Sequence, residues 1–375
     1  MKIIVDNKIP FIEGILEPFA DVIYVQGNLI TKEVISDADA LLIRTRTKCD
    51  EALLKGSPVK FIGSATIGHD HIDTDYCKKN DIAWTNASGC NSSSVCQYVT
   101  SALLKLSLDK GFSLKGKIIG IVGVGHVGSK VEKAANALGM TALLNDPPRA
   151  KHENNKRFET LDVILEKSDI ITVHVPLTLS GEDKTFHFFD ERTFNKIEKK
   201  AWVINTSRGE VVSSEALKNA LANGTIAGAI IDVWENEPNI DESLINNLFI
   251  ATPHIAGYSA DGKANGTSII INALCKFFNI ELKNWKPQNI PPPENAVITI
   301  KTNGKNCEEI VGEAVFNSYN IAIDDINLKN SPATFEKQRD NYRVRREFSS
   351  FTVVLKGKNV AAEKTLTELG FNLTS

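Results

Sequence analysis

At 375 residues the chain exceeds what one hydrophobic core usually holds, so two or three domains and a cleft between lobes are expected. A formal net charge of −3, with 24% charged and 42% hydrophobic residues, excludes the basic surplus of a nucleic-acid binder and favours a small-molecule partner, while leaving room for local basic pockets that hold an anion. No apolar run approaches the roughly 20 residues that span a bilayer, and MKIIVDNKIP lacks the long apolar core of a signal peptide. A cytoplasmic protein with no membrane partner is therefore expected.

Short apolar runs alternate with helical patterns from the start: KIIVD, a helix-like PFIEGILEPFA, then DVIYV, ADALLIR, VKFIGSA and DIAWTNA. That alternation predicts parallel α/β structure. Between Ser88 and Leu108 the pattern changes. Val95, Val99, Ala102, Leu103 and Leu106 recur at helical spacing, in a stretch long enough to join two lobes, and a domain boundary is placed at residues 95/96. A second alternating region follows: KIIGIVG, a helix through VEKAANALG, then TALLND, DIITVHV, AWVINTS, GAIIDVW and FIATPHI. Its β-branched, nearly uninterrupted apolar strands predict a doubly wound nucleotide domain over residues 96–255, covered by helices on both faces. The helical GTSIIINALCKFFN is expected to pack back on the first lobe, making that lobe discontinuous, 1–95 with 256–288. Three consecutive prolines in PQNIPPPEN mark an extended connector. From about Ala296, AVITIK, the charged KQRDNYRVRRE and FTVVLK suggest a small α+β domain, 289–375, of a size that often gains stability by packing on a partner. The six cysteines, Cys49, Cys77, Cys90, Cys96, Cys275 and Cys307, form no CxxC pair and read as free thiols rather than a metal site or disulfide framework.

Gly123, Gly125 and Gly128 in GIVGVGHVGSK lie between a strand and a helix, the context a dinucleotide fingerprint requires. The first allows a tight turn, the second lets backbone approach a pyrophosphate, and the third lets helix and strand pack closely. N–H groups at the helix start would hold the phosphates. Asp146 stands 18 residues past Gly128 at the end of TALLND, where an acid accepts hydrogen bonds from the adenosine ribose. That favours NAD over NADP, although Arg149 is what a 2′-phosphate would want. The alternative is that Asp146 caps the turn before Pro147 and Pro148.

Three further motifs, NTSRGE, DVWENEP and ATPHIAG, each follow an apolar strand and so fall at carboxyl ends, where open α/β sheets bind ligands. Arg208 offers a planar, permanently charged fork that matches a carboxylate. His254 belongs to the residue type that exchanges protons near neutrality. Glu237 is placed to orient that imidazole. Each alone could be a structural ion pair or a loop residue; together, after a dinucleotide motif, they describe oxidation of a 2-hydroxy acid.

GVGHVG, HVPLT, NTSRGEVV, DVWENEP and TPHIAG resemble the D-isomer-specific 2-hydroxyacid dehydrogenase family. The resemblance implies two Rossmann-like lobes, with the nucleotide domain inserted in a substrate domain and the active site in the cleft. It implies Arg208, Glu237 and His254 as the catalytic set, and NAD contacts from His126, Val127, Val175, Thr206, Asp232 and Gly257. A narrower resemblance, carried by ATIGHDHID, GCNSSSV, LLNDPPRA, TPHIAGYSADGKANG and YRVRREFSS, covers nearly the whole chain. It points to members whose substrate bears a phosphate as well as a carboxylate, and it implies a C-terminal dimerisation domain, hence a homodimer, with substrate contacts from Thr45, Thr66 and Tyr258.

A phosphate needs donors beyond Arg208. Arg44 and Arg46 in RTRTK are candidates, against a solvated strand-end pair; the serines of GCNSSSV precede a helix start. Arg345 and Arg346 in RVRRE are expected to send one side chain to a substrate cleft, their own or a partner's, unless they form an exposed charged face. The rivals are a dehydrogenase of 3-phosphoglycerate or of an unphosphorylated D-2-hydroxy acid, and a non-catalytic NAD-sensing interaction protein on the same fold.

Overall fold

The computed structural model describes residues 1–153, 155–198 and 200–374. It divides into two compact units, Met1–Asn91 with Ser259–Pro291, and Ser92–Tyr258 with Pro292–Ser375. The divisions fall at 91/92, 258/259 and 291/292, a few residues from the 95/96, 255/256 and 288/289 read from the sequence pattern.

The first unit carries five parallel strands, β1 (Lys2–Asp6), β2 (Asp21–Val25), β3 (Ala40–Ile43), β4 (Phe61–Ser64) and β5 (Ala83–Asn86), in the order β2-β1-β3-β4-β5. Connections diverge from β1 and β3, so the carboxyl ends of these neighbours form the topological switch point. The helix Ala260–Phe277 packs on this sheet, with Ile270, Ile271 and Leu274 in one apolar cluster with Ile3, Val5, Leu42 and Phe61. The segment PFIEGILEPFA, expected to be helical, is instead a series of turns. Phe11 and Gly14 hold positive φ (63° and 82°), and Pro18 can donate no backbone hydrogen bond, so helical propagation fails despite the apolar spacing.

In the second unit six parallel strands, β6 (Ile118–Val122), β7 (Thr141–Asn145), β8 (Ile170–Val173), β9 (Trp202–Asn205), β10 (Gly228–Ile231) and β11 (Ile250–Ala251), run in the order β11-β10-β9-β8-β6-β7. The switch point lies between β6 and β8. β8 and β10 are buried along their whole length, the signature of a sheet covered on both faces.

The C-terminal stretch forms its own parallel sheet, β12 (Val297–Lys301), β13 (Thr352–Lys356) and β14 (Asn372–Thr374), in chain order. Helices Cys307–Ser318 and Val360–Leu369 intervene. Read from sequence as a third domain, this stretch shares a core with the nucleotide sheet. Val95, Val99, Leu103 and Leu106 of the helix Ser92–Lys110 belong to one buried cluster with Ile119 and Ile121 of β6 and with Ile298, Ile310, Val353 and Leu366. That helix is buried nearly all round, which is why it begins at the division. Glu308 adds a polar tie, accepting from the Leu114 amide at 2.6 Å and the Ser113 hydroxyl at 2.7 Å. All six cysteines are thiols outside any disulfide.

Candidate active site

The turn after β6 sets the nucleotide end. Gly123 has φ +87°, and a Cβ there would meet the His174 carbonyl at 2.7 Å and Val175 Cγ1 at 2.9 Å. A Cβ at Gly128 would lie 2.1 Å from the Gly123 carbonyl oxygen, so the helix His126–Ala137 could not approach its strand with any side chain at that position. Gly125 differs: its Cβ direction is open space, and as N-cap it offers no side chain to the helix start. The first helical amides, beginning at exposed His126 and half-buried Val127, have no intrahelical acceptor. These residues fit a pyrophosphate.

Asp146 Oδ2 accepts from the Val124 amide at 2.8 Å, and Oδ1 from the Arg149 amide at 3.1 Å. The carboxylate thus caps the helix Pro147–Glu153 and braces the glycine turn, while remaining half-buried with lone pairs to spare. Arg149 is engaged by Glu153 (2.6 Å) and by the Val124 carbonyl, and stacks over Phe158 at 5.3 Å.

Three loops leave the neighbouring strand ends. After β9, Asn205 folds the turn by donating to the Arg208 carbonyl (2.9 Å) and accepting from the Ser207 amide (3.0 Å), which leaves Arg208 half-buried in extended conformation (φ −142°, ψ 146°). Gly209 lies against the loop after β10: its Cβ would stand 2.0 Å from Trp234 C and O. On that loop Glu237 Oε1 accepts from the Trp234 amide (2.9 Å), and Oε2 lies 2.7 Å from His254 Nδ1. Burial pushes the Glu237 carboxyl up, but the His254 imidazole beside it, the Trp234 amide and Arg339 more than offset this and hold it below its ordinary value.

His254 occupies left-handed backbone (φ 55°), uncommon outside glycine, with its amide donating to the Asp232 carbonyl at 2.7 Å. Asp232 explains how that conformation is held. Only 1% exposed, its carboxylate accepts from Thr252 Oγ1 (2.6 Å), the Ile255 amide (2.8 Å) and the Ala256 amide (2.9 Å). Sequence reasoning placed Asp232 among the cofactor contacts; here its side chain is spent on the loop that carries His254 and, three residues on, half-buried Gly257. Thr206 meets His174 Nδ1 at 3.2 Å, and Thr172 meets Nε2 at 3.0 Å. Burial drives that histidine down to about 3, so it is neutral. Val175 closes over the glycine turn.

The C-terminal stretch reaches the same loops. Arg345, expected as a candidate for the substrate, is 3% exposed and donates to Ser94 Oγ and the Ala256 carbonyl while stacking on Tyr319 at 4.4 Å. It is a fastener: NH2 ties the loop to Ser94 and Ala256 and the guanidinium face lies on Tyr319, while Nε and NH1 are buried without a hydrogen-bond partner. Arg346 is half-buried, and its backbone carbonyl accepts from Gln97 Nε2 at 2.9 Å. The residue that approaches the Glu237–His254 pair is Arg339, 3.8 Å from Glu237 Oε2 and 3.3 Å from the Tyr258 hydroxyl.

In the first unit, half-buried Arg44 and exposed Thr45 and Arg46 follow β3 at the switch point, with Arg44 3.5 Å from the Lys8 carbonyl. Thr66 Oγ1 bonds to Ser64 Oγ at 2.8 Å and donates to the Gly68 carbonyl at 3.1 Å.

Comparison with known proteins gives this geometry a lineage. Residues 100–256 match the NAD binding domain of the D-isomer specific 2-hydroxyacid dehydrogenases, and residues 290–370 match a domain of unknown function. An erythronate-4-phosphate dehydrogenase of Bacteroides fragilis is 51% identical over 358 residues, covering 95% of this chain and 99% of its own. The chain belongs to the erythronate-4-phosphate dehydrogenases. A member of that family from Bacteroides thetaiotaomicron is 47% identical over 94% of this chain and 99% of its own. Among solved structures, the NAD-dependent formate dehydrogenase of Staphylococcus aureus in complex with NAD shares the fold, with a TM-score of 0.60 at 23% identity, covering 75% of this chain and 97% of its own. As a family member the protein is an NAD-dependent oxidoreductase, and dehydrogenases of other 2-hydroxy acids are not the favoured reading.

For this erythronate-4-phosphate dehydrogenase family member, sequence reasoning missed Gly209 and Arg339. Gly209 was legible as an invitation to close backbone approach directly after Arg208, within NTSRGE. Arg339 carried no signal: it is one cation in a run of charges, and only packing brings it to the loop of Glu237.

Proposed function

We propose that this chain oxidises C2 of 4-phospho-D-erythronate, giving (R)-3-hydroxy-2-oxo-4-phosphobutanoate, a step of pyridoxal 5′-phosphate (vitamin B6) biosynthesis. Its relatives' name supports the substrate, and the 2.7 Å contact of Glu237 with His254 at the strand ends carries the chemistry. Glu237 is held below its ordinary value and so is ionised. A carboxylate only accepts, so Nδ1 bears the hydrogen and Nε2 presents a lone pair. His254 Nε2 takes the C2 hydroxyl proton, and Glu237 stabilises the imidazolium that results. Arg208 grips the substrate carboxylate and draws charge toward the forming carbonyl. Bound NAD supplies the acceptor for the C2 hydrogen and its electron pair.

Gly123, Gly125, His126, Val127 and Gly128 would hold its pyrophosphate, Asp146 its ribose, and Val175, Thr206 and Gly257 the wall near the nicotinamide, with Asp232 serving the cofactor from behind by shaping the loop of His254 and Gly257. Thr45, Thr66, Tyr258, Arg44, Arg46 and Arg346 are the proposed substrate contacts. We further propose a homodimer built on residues 289–375, supported by exposed apolar side chains there, Val297, Ile323, Ile326, Val344 and Val360; light scattering tests it. No helix among the described residues is long and apolar enough to cross a membrane. Six cysteines outside any disulfide support a reducing, cytoplasmic setting.

The decisive assay follows formation of reduced nicotinamide with NAD and 4-phospho-D-erythronate, beside 3-phosphoglycerate and D-lactate. Strong preference for the first is expected. Preference for another acid would overturn the substrate, and NAD binding without turnover on any acid would overturn the enzyme reading.

A further inference from the structure

We propose that Arg339 binds the substrate's phosphate, so that the C-terminal stretch recognises substrate as well as packing on the nucleotide sheet. This rests on the phosphorylated substrate argued above. The guanidinium has five N–H donors in a planar fork. Among the described residues only one meets an acceptor within hydrogen-bond distance, NH2 to the Tyr258 hydroxyl at 3.3 Å. Nε is buried without a partner, and the 3.8 Å approach to Glu237 Oε2 is too long for a hydrogen bond. Its faces are used instead, against Tyr258 at 5.8 Å and Phe335 at 5.6 Å.

The carboxylate it approaches is also committed. Glu237 Oε2 is the oxygen that lies 2.7 Å from His254 Nδ1, and Oε1 takes the Trp234 amide. As His254 becomes imidazolium, Glu237 is claimed by a second cation, and Arg339 is left under-compensated in a partly buried place. An anion brought by the substrate would correct that, and a phosphate carries about −1.5 to −2 charges with three strong acceptors. Arg208 serves the carboxylate end, so a second guanidinium beside the catalytic pair is available for the other end.

The position is held from several sides. Phe335, which opens the helix Phe335–Asp340, is 2% exposed in an apolar cluster with Trp234 and Ala251. Arg345 fastens the following loop to the Ala256 carbonyl, two residues past His254. Asp325 accepts from the Ala251 amide at 2.7 Å, fixing the helix Ile321–Asn330 to the end of β11. The fork is therefore preorganised rather than free to swing.

The test compares Arg339→Gln and Arg339→Lys with the unaltered enzyme on two substrates, 4-phospho-D-erythronate and D-erythronate, and adds inorganic phosphate as an inhibitor of D-erythronate turnover. If Arg339 binds phosphate, R339Q lowers kcat/KM for the phosphorylated substrate by about 10- to 100-fold, mostly through KM. It lowers the slow D-erythronate rate far less than the rate on the phosphorylated substrate, because the charge it lends Glu237 serves both, and it weakens phosphate inhibition; R339K recovers part of each loss. Equal losses on both substrates would assign Arg339 to orienting Glu237 and overturn the proposal; so would no loss on either. Should the unaltered enzyme prefer an unphosphorylated acid, the substrate reading fails separately. Phosphate inhibition that R339Q leaves intact then also refutes anion binding by Arg339. NAD affinity and thermal melting of both variants check the fold.

Discussion

Gly209→Ala tests whether the Arg208 and Glu237 loops must touch for catalysis. The added methyl would sit 2.0 Å from the Trp234 carbonyl group and 2.4 Å from the Glu235 amide, both backbone atoms that no rotamer can move aside. Ordinary contact begins near 3.4 Å, so the two loops would part by about 1.4 Å. Arg208 precedes the methyl by one residue and Glu237 follows Trp234 by three, so the gap opens between the proposed carboxylate grip and the glutamate that orients the proposed proton carrier, His254. A misplacement of roughly 1 Å in an oriented site costs on the order of 10²-fold in rate, and overpacking adds about 1–3 kcal/mol of destabilisation. NAD affinity should survive, because the glycine turn after β6 is untouched. Steady-state kinetics on 4-phospho-D-erythronate, with NAD titration and thermal melting alongside, would read all three. A G209A enzyme that keeps kcat/KM within a factor of about three would refute the required contact.

His254→Ala should lower kcat by roughly 10² to 10⁴ with NAD binding nearly intact; near-normal turnover would exclude it as the proton carrier. Arg208→Lys should also impair kcat/KM despite keeping its charge, since a point cation does not replace a bidentate fork, and unchanged kinetics would argue against carboxylate binding there. Gly125→Val should leave the melting temperature nearly unchanged, because its Cβ direction is open, yet weaken NAD binding by about tenfold or more; equal affinity would remove the pyrophosphate from that side. His174 stays neutral in the fold, its value pushed down to about 3, while an unfolded histidine protonates near its ordinary 6.5. Its contribution is therefore full above about 6.5 and declines as pH falls toward 3, because the unfolded chain binds the extra proton. Melting curves of His174→Gln should lose less between pH 7 and 5 than those of the unaltered chain, and parallel losses would exclude this coupling.

Motifs tied to backbone geometry were readable in one dimension. Gly123 and Gly128 had to be glycine because their Cβ atoms would strike carbonyl groups, and a strand on one side with a helix on the other was visible in the residues. Arg208, Glu237 and His254 stood out because each follows an apolar strand, and parallel strands deliver their carboxyl ends to one edge. The failures had equally local causes. PFIEGILEPFA has helical apolar spacing, but backbone turns at Phe11 and Gly14 and the missing donor of Pro18 outweigh it.

By itself, then, the sequence determined the alternation that makes parallel sheets, the glycine turn, and which loops carry chemistry, since these depend on side chains within a few positions of one another. Only the tertiary structure decided that Asp232 is spent on shaping the His254 loop, that Arg345 is a buried fastener, and that Arg339 comes within 3.8 Å of Glu237. Those outcomes depend on which distant surfaces pack and which charges find partners when they do, and no spacing along the chain encodes them.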